Sequence, residues 1–344
     1  MIERNTQRKA GPPSNKALPH CLIDGYGRRI TYLRLAITDR CNLRCRYCRP
    51  ESGVSFLPHD EILSLEEYER LVRIFSSLGI TKVRVTGGEP FSRRGCLYFL
   101  SRLSQIEGVR FLHITTNGVK TSRFLDELKD IGIHGLNLSL DTLDPGRFWK
   151  ITRRDYLDSV LQTLHGALAR NIPVKINSVV LEDTSDEEII KLAGLAGEFP
   201  LTLRFIERMP FSGTVRSGKL ENDDLVHRLH KLFPELEECE TASPTTARLF
   251  SLAGYLGKLG VIQGHSRLFC TTCNKVRITP AGMLKTCLYD NGVLDLKRLL
   301  RRGADNDEIA AEITACVNHR FANGHEAEHS CRRSAEPSMS RIGG

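Results

Sequence analysis

The chain has 344 residues, of which 40% are hydrophobic and 26% charged, as in an ordinary globular protein. Its 49 lysines and arginines outnumber 41 acidic residues, and the net charge of +8 fits nucleic acid, a phosphorylated small molecule or a solvated surface. The 7% aromatic content and the lack of a nucleic-acid-binding motif disfavour nucleic acid. No run of 18 apolar residues occurs, so we expect no membrane span, and the first residues do not resemble a secretory signal.

The predicted elements alternate between strands and helices from residue 30 to residue 207, after a lead-in, residues 1–20, that we expect to be disordered. The predicted strands are 31–38, 81–88, 109–118, 135–141, 173–181 and 201–207, and the predicted helices are 64–79, 97–106, 121–132, 153–171 and 184–198. Ser64 and Glu67 have the spacing of a capping box, and Gly79 is a helix stop. This repeated βα order predicts a parallel sheet with right-handed crossovers, either open or curled into a barrel.

Polar motifs follow the predicted strands at their carboxyl ends, where parallel sheets usually place their chemistry. They are TDRC (38–41), TGGEP (86–90), TTNG (115–118), SLD (139–141) and IERMP (206–210). After residue 207 the pattern changes to loops, short strands, a helix near 222–233, a helix at 307–320 and a polar tail ending in RIGG.

Eleven cysteines without an export signal indicate a reducing compartment, so we expect a cytoplasmic protein whose thiols serve metal binding or catalysis. Six of them form two sets of three: Cys41, Cys45 and Cys48, spaced C-xxx-C-xx-C, and Cys270, Cys273 and Cys287, where thirteen residues precede the third cysteine. A structural zinc ion normally has four protein ligands, whereas a four-iron cluster on three thiolates leaves one iron open to a further ligand. The spacing favours iron–sulfur clusters, and zinc completed by a distant residue stays open as the alternative.

The first set, with Tyr47 before its last cysteine and GGEP (87–90) after the next strand, resembles the radical S-adenosylmethionine (SAM) superfamily. A longer series of motifs resembles the MoaA-type GTP 3′,8-cyclases of molybdenum cofactor biosynthesis, over residues 22–300 and the last few residues. These motifs include VRVTGGEPFSR, NLSLDTLDP, VKINSVV, RFIERMP, FCTTCNKVRIT and the terminal GG. The resemblance implies an α/β fold, an incomplete (β/α)6 TIM-like barrel at residues 21–207, closed by a cluster-binding C-terminal region at 208–344.

The resemblance also implies a reaction. Two [4Fe-4S] clusters and SAM would be the cofactors, and a 5′-deoxyadenosyl radical would remove the ribose C3′ hydrogen of GTP so that C3′ attacks purine C8. The implied partners are the substrate GTP, a flavodoxin- or ferredoxin-type reductant and the downstream cyclic pyranopterin monophosphate synthase. We expect no nucleic-acid partner and no membrane partner. The oligomeric state stays open, with a homodimer as one candidate.

The family assigns roles to residues that match its motifs. For SAM these are Tyr47, Gly88, Ser139 and Met209; for GTP they are Arg34, Arg84, Thr115, Lys175, Lys275, Val276 and Arg277; and the catalytic residues are Arg277, Gly343 and Gly344. Each position also has a plain structural reading: an ion-paired strand arginine, a turn glycine or threonine, a buried serine, a core methionine or a solvated strand face. Arg49 and Lys275 depart from the family pattern, which usually has Met and Arg there, and Lys offers only a point charge.

Two other functions stay open from the sequence. A radical SAM peptide maturase also carries auxiliary clusters, although it usually has more C-terminal cysteines than the single set here. A non-catalytic zinc or iron–sulfur scaffold with a basic RNA-binding surface is the alternative from a different class. Residues 301–336 match the family poorly, so no role is assigned to them.

Overall fold

Six parallel strands with intervening helices build the first part of the fold. The structure is a computed structural model, and it describes residues 21–49, 53, 55–209, 225–240, 246–264, 267–331 and 342. The strands are β1 (Tyr32–Ala36), β2 (Lys82–Thr86), β3 (Phe111–Thr116), β4 (Gly135–Ser139), β5 (Val174–Val180) and β6 (Thr202–Glu207). The helices are α1 (Leu65–Ser77), α2 (Cys96–Ser104), α3 (Leu125–Ile131), α4 (Pro145–Thr152), α5 (Leu157–Ala169) and α6 (Asp186–Glu198). The predicted lead-in, residues 1–20, lies outside the described residues.

The C-terminal part adds short strands and four helices. The strands are β7 (Glu237–Glu238), β8 (Arg248–Ser251), β9 (Lys258–Ile262), β10 (Lys275–Ile278), β11 (Met283–Lys285) and β12 (Leu294–Asp295). The helices are α7 (Leu225–Leu232), α8 (Leu296–Arg301), α9 (Asn306–Asn318) and α10 (Gly324–Cys331). No helix among these described segments is both long and apolar enough to cross a bilayer.

All twelve strands belong to one sheet, in the order β12-β11-β10-β1-β2-β3-β4-β5-β6-β9-β8-β7. Strands β10 and β9 run parallel to β1 and β6, so the C-terminal region extends both edges of the βα sheet. The outermost strands, β12 and β7, do not pair with each other, and the sheet is therefore open. This architecture confirms the predicted incomplete barrel.

Local sequence signals explain where the helices begin. Helix α1 starts at the predicted capping box, in which Ser64 accepts from Glu67 N at 3.1 Å and the Glu67 carboxylate accepts from Ser64 N. Helix α4 is absent from the sequence prediction, although Asp144 as N-cap and Pro145 in its first turn are recognised start signals. Helix α10 is also absent from the sequence prediction; it lies within residues 301–336, to which no role was assigned.

The two faces of the parallel strands differ in polarity. Leu33 and Leu35 of β1 are fully buried in the hydrophobic core that the helices cover. Arg34, between them, must point to the other face because side chains alternate along a strand. The same alternation puts Arg84 of β2 beside Arg34, its register partner. The inner face of the sheet is therefore where the polar residues gather.

Candidate active site

The first cysteine set lies in a loop directly after β1. Cys48 N and Arg49 N both donate to Cys45 O, at 3.0 and 2.9 Å, so a tight turn carries the last two cysteines. Burial, followed by the charge of Glu89, raises the pKa of the Cys41 thiol to about 11. Burial, Asp141 and the other two thiols likewise raise the pKa of Cys45. Ionisation of the three thiols would place three negative charges in one loop, and the irons of a cluster would supply the positive charge to offset them.

The ends of β2 and β3 hold this loop in place. Glu89 is fully buried and accepts hydrogen bonds from Phe91 N at 3.1 Å, Thr116 Oγ1 at 2.9 Å and Asn117 N at 2.7 Å. Burial raises its pKa to about 7. The Asn117 amide then donates to Cys41 Sγ at 3.5 Å and to Asn42 Oδ1 at 2.8 Å. The sequence singled out the TTNG motif but missed Asn117 as its link to the cysteines.

The glycine pair after β2 has a structural reason of its own. A Cβ on Gly87 would lie 2.5 Å from Thr38 O, and one on Gly88 would lie 2.4 Å from Arg40 O. Gly88 N also donates to Thr38 O at 2.6 Å. The glycines therefore let the β2 loop pack against the backbone that leads into Cys41.

Two of the four predicted SAM residues lie close to one buried carboxylate. Tyr47 Oη donates to Asp141 Oδ2 at 2.8 Å, and Asp141 Oδ1 accepts from Val179 N at 2.8 Å. Ser139 ends β4 two residues before Asp141. Met209 lies further along the sheet, after β6, where its side chain packs against Gly264. Gly88 is on the β2 side of the cysteine loop, so the four positions surround the carboxyl ends of several strands.

The second cysteine set lies at the opposite end of the strands. Cys273 comes just before β10, and Cys287 follows β11, which runs antiparallel to β10. Since β10 is parallel to β1, this set is at the amino end of β1, whereas Cys41 follows its carboxyl end. The expectation that chemistry gathers at the carboxyl ends concerned the five motifs after the predicted βα strands, and the second set, which the C-terminal strands carry, lies outside it.

A buried ion network supports the second set. Arg320 donates to Cys273 Sγ at 3.0 Å and to Cys273 O at 2.9 Å, and lies 3.6 Å from Asp24 Oδ2. Arg28 pairs with the same carboxylate at 2.6 Å and donates to Cys270 O at 2.9 Å. Cys287 N donates to Asp290 Oδ2 at 2.7 Å. Arg320 lies in the segment that matched the family poorly, and the sequence offered no signal for it.

Between the two cysteine sets, cations occupy the inner face of the sheet. Arg277, Arg34 and Arg84 are register neighbours on β10, β1 and β2. Further cations lie on the same strands or on β5 and β6: Lys82, Lys175, Arg204 and Lys275. Among the described residues, no ion pair joins Arg34 or Arg84 to a carboxylate, so the structural reading of these arginines as ion-paired strand residues is wrong there.

Several polar atoms on this face are buried without a hydrogen-bond partner among the described residues. They are the Nε atoms of Arg34, Arg84 and Arg204, together with Thr115 Oγ1 and Asn177 Oδ1. Unpaired buried donors are costly and usually have a ligand or water that completes them. Three of these five atoms are arginine donors, so the face offers unused hydrogen-bond donors to a ligand with acceptor atoms.

The cations on this face also repel one another. Burial, then Arg84 and Arg204, lowers the pKa of Lys82 to about 8; burial and the same two arginines with Lys82 lower that of Lys175 to about 8. Burial and Arg84 lower the pKa of Arg204 to about 9. A polyanion placed among these cations would offset their mutual repulsion and the cost of burying their charges. Lys82 and Arg204 are site residues that the sequence analysis missed.

Within the described residues, no three His, Cys, Asp or Glu side chains converge as closely as a single metal ion would require. A four-iron cluster asks for a wider arrangement, because its three thiolates bind three different irons. The donor chemistry of both sets, three thiols each, fits such a cluster, and none of the six forms a disulfide.

Comparison with known proteins defines the class. The Radical SAM superfamily model matches residues 35–196, and the Molybdenum Cofactor Synthesis C model matches residues 201–326. The Streptococcus suis protein SuiB has a similar fold, with a TM-score of 0.58 and 15% identity over 87% of this chain and 72% of that chain. The open βα sheet with a three-cysteine loop after β1 is thus the radical SAM fold.

Comparison with individual relatives identifies the family within this superfamily. The GTP 3′,8-cyclase of Moorella thermoacetica is 40% identical over 324 residues, which are 93% of this chain and 99% of the relative. Molybdenum cofactor biosynthesis protein 1 of Bos taurus is 39% identical over 302 residues, 87% of this chain and 48% of the relative, so the chain spans about half the length of that protein. The chain belongs to the GTP 3′,8-cyclase family.

Proposed function

We propose that this protein is a radical SAM lyase that converts GTP to (8S)-3′,8-cyclo-7,8-dihydroguanosine 5′-triphosphate in the first step of molybdenum cofactor biosynthesis. The observation that carries the proposal is the arrangement along β1 and β10. One three-thiol set follows the carboxyl end of β1, the other precedes β10, and Arg34 and Arg277 lie between them in register. A nucleotide held by these cations would reach towards both sets.

The proposed roles follow this arrangement. Cys41, Cys45 and Cys48 would hold the first [4Fe-4S] cluster, with Tyr47, Gly88, Ser139 and Met209 around SAM. Bound there, cluster and SAM supply the 5′-deoxyadenosyl radical that removes the C3′ hydrogen of GTP. The residues of the chain bind and orient: Asp141 fixes Tyr47, and Asn117 fixes the Cys41 loop. Walls on the inner face of the sheet would keep water from the radical.

At the other end, Cys270, Cys273 and Cys287 would hold a second [4Fe-4S] cluster, which would supply a binding site for the purine base. Arg320 donates to the Cys273 sulfur and would help to hold this set in place. Arg34, Arg84, Thr115, Lys175, Lys275, Val276 and Arg277 would bind GTP, with Arg277 also positioned to act in the ring closure.

The proposal is tested by anaerobic purification, metal analysis and a product assay. We expect about eight irons per chain, as two four-iron clusters require. With SAM, GTP and a reductant, the protein should form 5′-deoxyadenosine and the cyclised nucleotide in equal amounts. Two zinc ions per chain, or iron without either product, would favour the non-catalytic scaffold. Cleavage of SAM that does not respond to GTP would favour the peptide maturase.

Replacing a cation on the inner face should weaken GTP binding. Arg34→Ala, Arg84→Ala or Arg277→Ala should each cost roughly 1.5–3 kcal/mol of binding free energy, the value of a hydrogen bond to a charged group. Titration calorimetry with GTP measures the loss, and Lys129→Ala on the exposed face of α3 is the control. Because burial and the neighbouring cations Arg277 and Arg84 hold the pKa of Arg34 well below its usual range, Arg34→Ala should not lower the melting temperature of the free protein. Unchanged GTP affinity in all three variants would refute the phosphate-binding role.

Gly343 and Gly344 lie outside the described residues, and we propose that they bring backbone groups beside Arg277 and the substrate. Ile342, the residue before them, is buried, with 2% of its surface exposed, and this burial supports the proposal. Deleting both glycines should suppress cyclisation and leave SAM cleavage and iron content unchanged, because the tail holds neither cluster. Product analysis measures this, and full-rate cyclisation by the truncated protein would contradict it.

The proposed partners are a flavodoxin- or ferredoxin-type reductant and the cyclic pyranopterin monophosphate synthase that would receive the product. We also propose a cytoplasmic location and a homodimer. Family membership supports the partners and the homodimer, and the eleven cysteines also support the cytoplasmic location.

A further inference from the structure

The outer side of the first cysteine loop forms one surface with the end of α4. Arg44 N donates to Thr152 O at 3.0 Å, and Arg46 N donates to Ile151 O at 2.9 Å. Arg153, which follows α4, donates to Arg44 O at 3.1 Å. The loop between Cys41 and Cys45 is thereby fastened to the last turn of this helix. We call the exposed and half-buried side chains at this junction the α4 surface; they are Arg44, Trp149, Lys150, Arg153 and Arg154.

The α4 surface carries positive charge that the described residues do not neutralise. Arg44 and Lys150 are exposed, and Arg153 and Arg154 are half-buried. The hydrogen bonds of the two half-buried arginines go to backbone carbonyl oxygens, which leave the charge in place. None of the four cations forms an ion pair with a carboxylate among the described residues. Asp155 is the exposed acidic residue next to them in the chain.

A large apolar side chain lies within this basic surface. Trp149 is 58% exposed, although tryptophan is usually well buried. Arg153 follows the helix as its C-cap, and its backbone N–H donates to Trp149 O, so the two residues lie at the same end of α4. Exposed tryptophan and arginine are the residues most enriched at the centres of protein interfaces. Arg46 and Arg147, close by, are already paired with Asp183, and Arg147 also with Glu188, so that these two cations and two carboxylates add no net charge.

We propose that the α4 surface is the docking site of an acidic electron-carrier protein that reduces the first cluster. This inference rests on the proposed function, which needs one electron at Cys41, Cys45 and Cys48. The carrier's reduced flavin or iron–sulfur centre loses one electron, the cluster gains it, and no proton or bond changes hands. Electron transfer slows steeply with distance, and Arg44 is the residue before Cys45, so a carrier bound here would lie beside the first cysteine set. Complexes of this kind have small interfaces and depend on charge for their association rate.

The test uses the full-length, cluster-loaded protein and a reduced bacterial flavodoxin. In the double variant Arg44→Glu/Lys150→Glu, binding of flavodoxin at low salt should weaken at least about tenfold, since opposed charges become like charges. Wild-type binding should itself weaken with added salt. The matched control is Arg110→Glu/Lys129→Glu, which reverses two exposed cations at the amino end of the strands and should bind like the wild type.

A second readout separates docking from chemistry. Flavodoxin-driven formation of 5′-deoxyadenosine should fall with the binding in the Arg44→Glu/Lys150→Glu variant, while dithionite-driven formation stays at the wild-type rate. Flavodoxin binding equal to that of the wild type, or an equal loss in the control variant, would overturn the docking site. If the wild type binds flavodoxin at this surface but yields no 5′-deoxyadenosine with dithionite, the proposed reaction fails and the docking site stands.

Discussion

Replacing Cys41, Cys45 or Cys48 with alanine should abolish the reductive cleavage of SAM. A cluster left with two thiolates loses a ligand to one iron, so the loss should exceed the roughly 10–100-fold effect of changes outside the ligand shell. The structure adds a reason for complete loss: the tight turn at Cys45 holds Cys48 in place, and no fourth described cysteine lies in the loop to replace a missing one. The measurement is 5′-deoxyadenosine formed under dithionite, together with iron per chain.

The matched control is Cys239→Ala, which removes a half-buried thiol that belongs to neither set. It should keep both iron and activity. Circular dichroism should show the same helix content in all variants, because hydrogen bonds that involve no thiol, from Asn117 N to Glu89 and from the Asn117 amide to Asn42, also anchor the loop. A Cys45→Ala protein that cleaves SAM at the wild-type rate would remove the basis for a cluster in this loop.

Replacing Cys270, Cys273 or Cys287 with alanine should separate the two halves of the reaction. The cyclised nucleotide should be lost, while some cleavage of SAM continues without it. The physical reason is the position of the two sets at opposite ends of β1, each with its own supports. The first loop depends on Asn117 and the second set on Arg320, so damage at one end need not reach the other.

The ratio of cyclised nucleotide to 5′-deoxyadenosine is the quantity to measure. It should be near one in the wild type and in a Cys316→Ala control, and near zero in the three variants. Iron per chain should fall by about half in each of them, since one of two four-iron clusters is lost. A variant that loses the iron but still makes the cyclised nucleotide would show that the second set is structural.

The sequence determined the parallel βα sheet because each element carries its own signal. Hydrophobic alternation predicted β1, and the capping box at Ser64 predicted the start of α1 within one residue. The family motifs indicated the candidate site residues in the same way, because each motif is a short stretch of sequence that can be recognised without knowing its contacts in the fold. Helix α4 was missed although its start signals were present, because no element was assigned to residues 142–152.

Contacts between distant parts of the chain were decided only by the tertiary structure. Arg320 is 47 residues from Cys273, and Asp24 lies almost 300 residues before Arg320, yet the three form one buried network. No local pattern marks an arginine that will contact a sulfur far along the chain. The placement of β10 beside β1, which puts the second cysteine set at the amino end of the strands, is another such contact.

The electrostatics of the site also depend partly on the sequence and partly on the tertiary structure. Arg34 and Arg84 could be predicted as unusual because a charge on a buried strand is costly. Whether carboxylates or other cations surround them depends on the register of β10, β1, β2, β5 and β6. That register brings Lys82, Lys175 and Arg204 to the same face and leaves the charge uncompensated among the described residues. Composition and motifs determine which charges exist, whereas the electrostatic energy depends on distances that only the folded sheet sets.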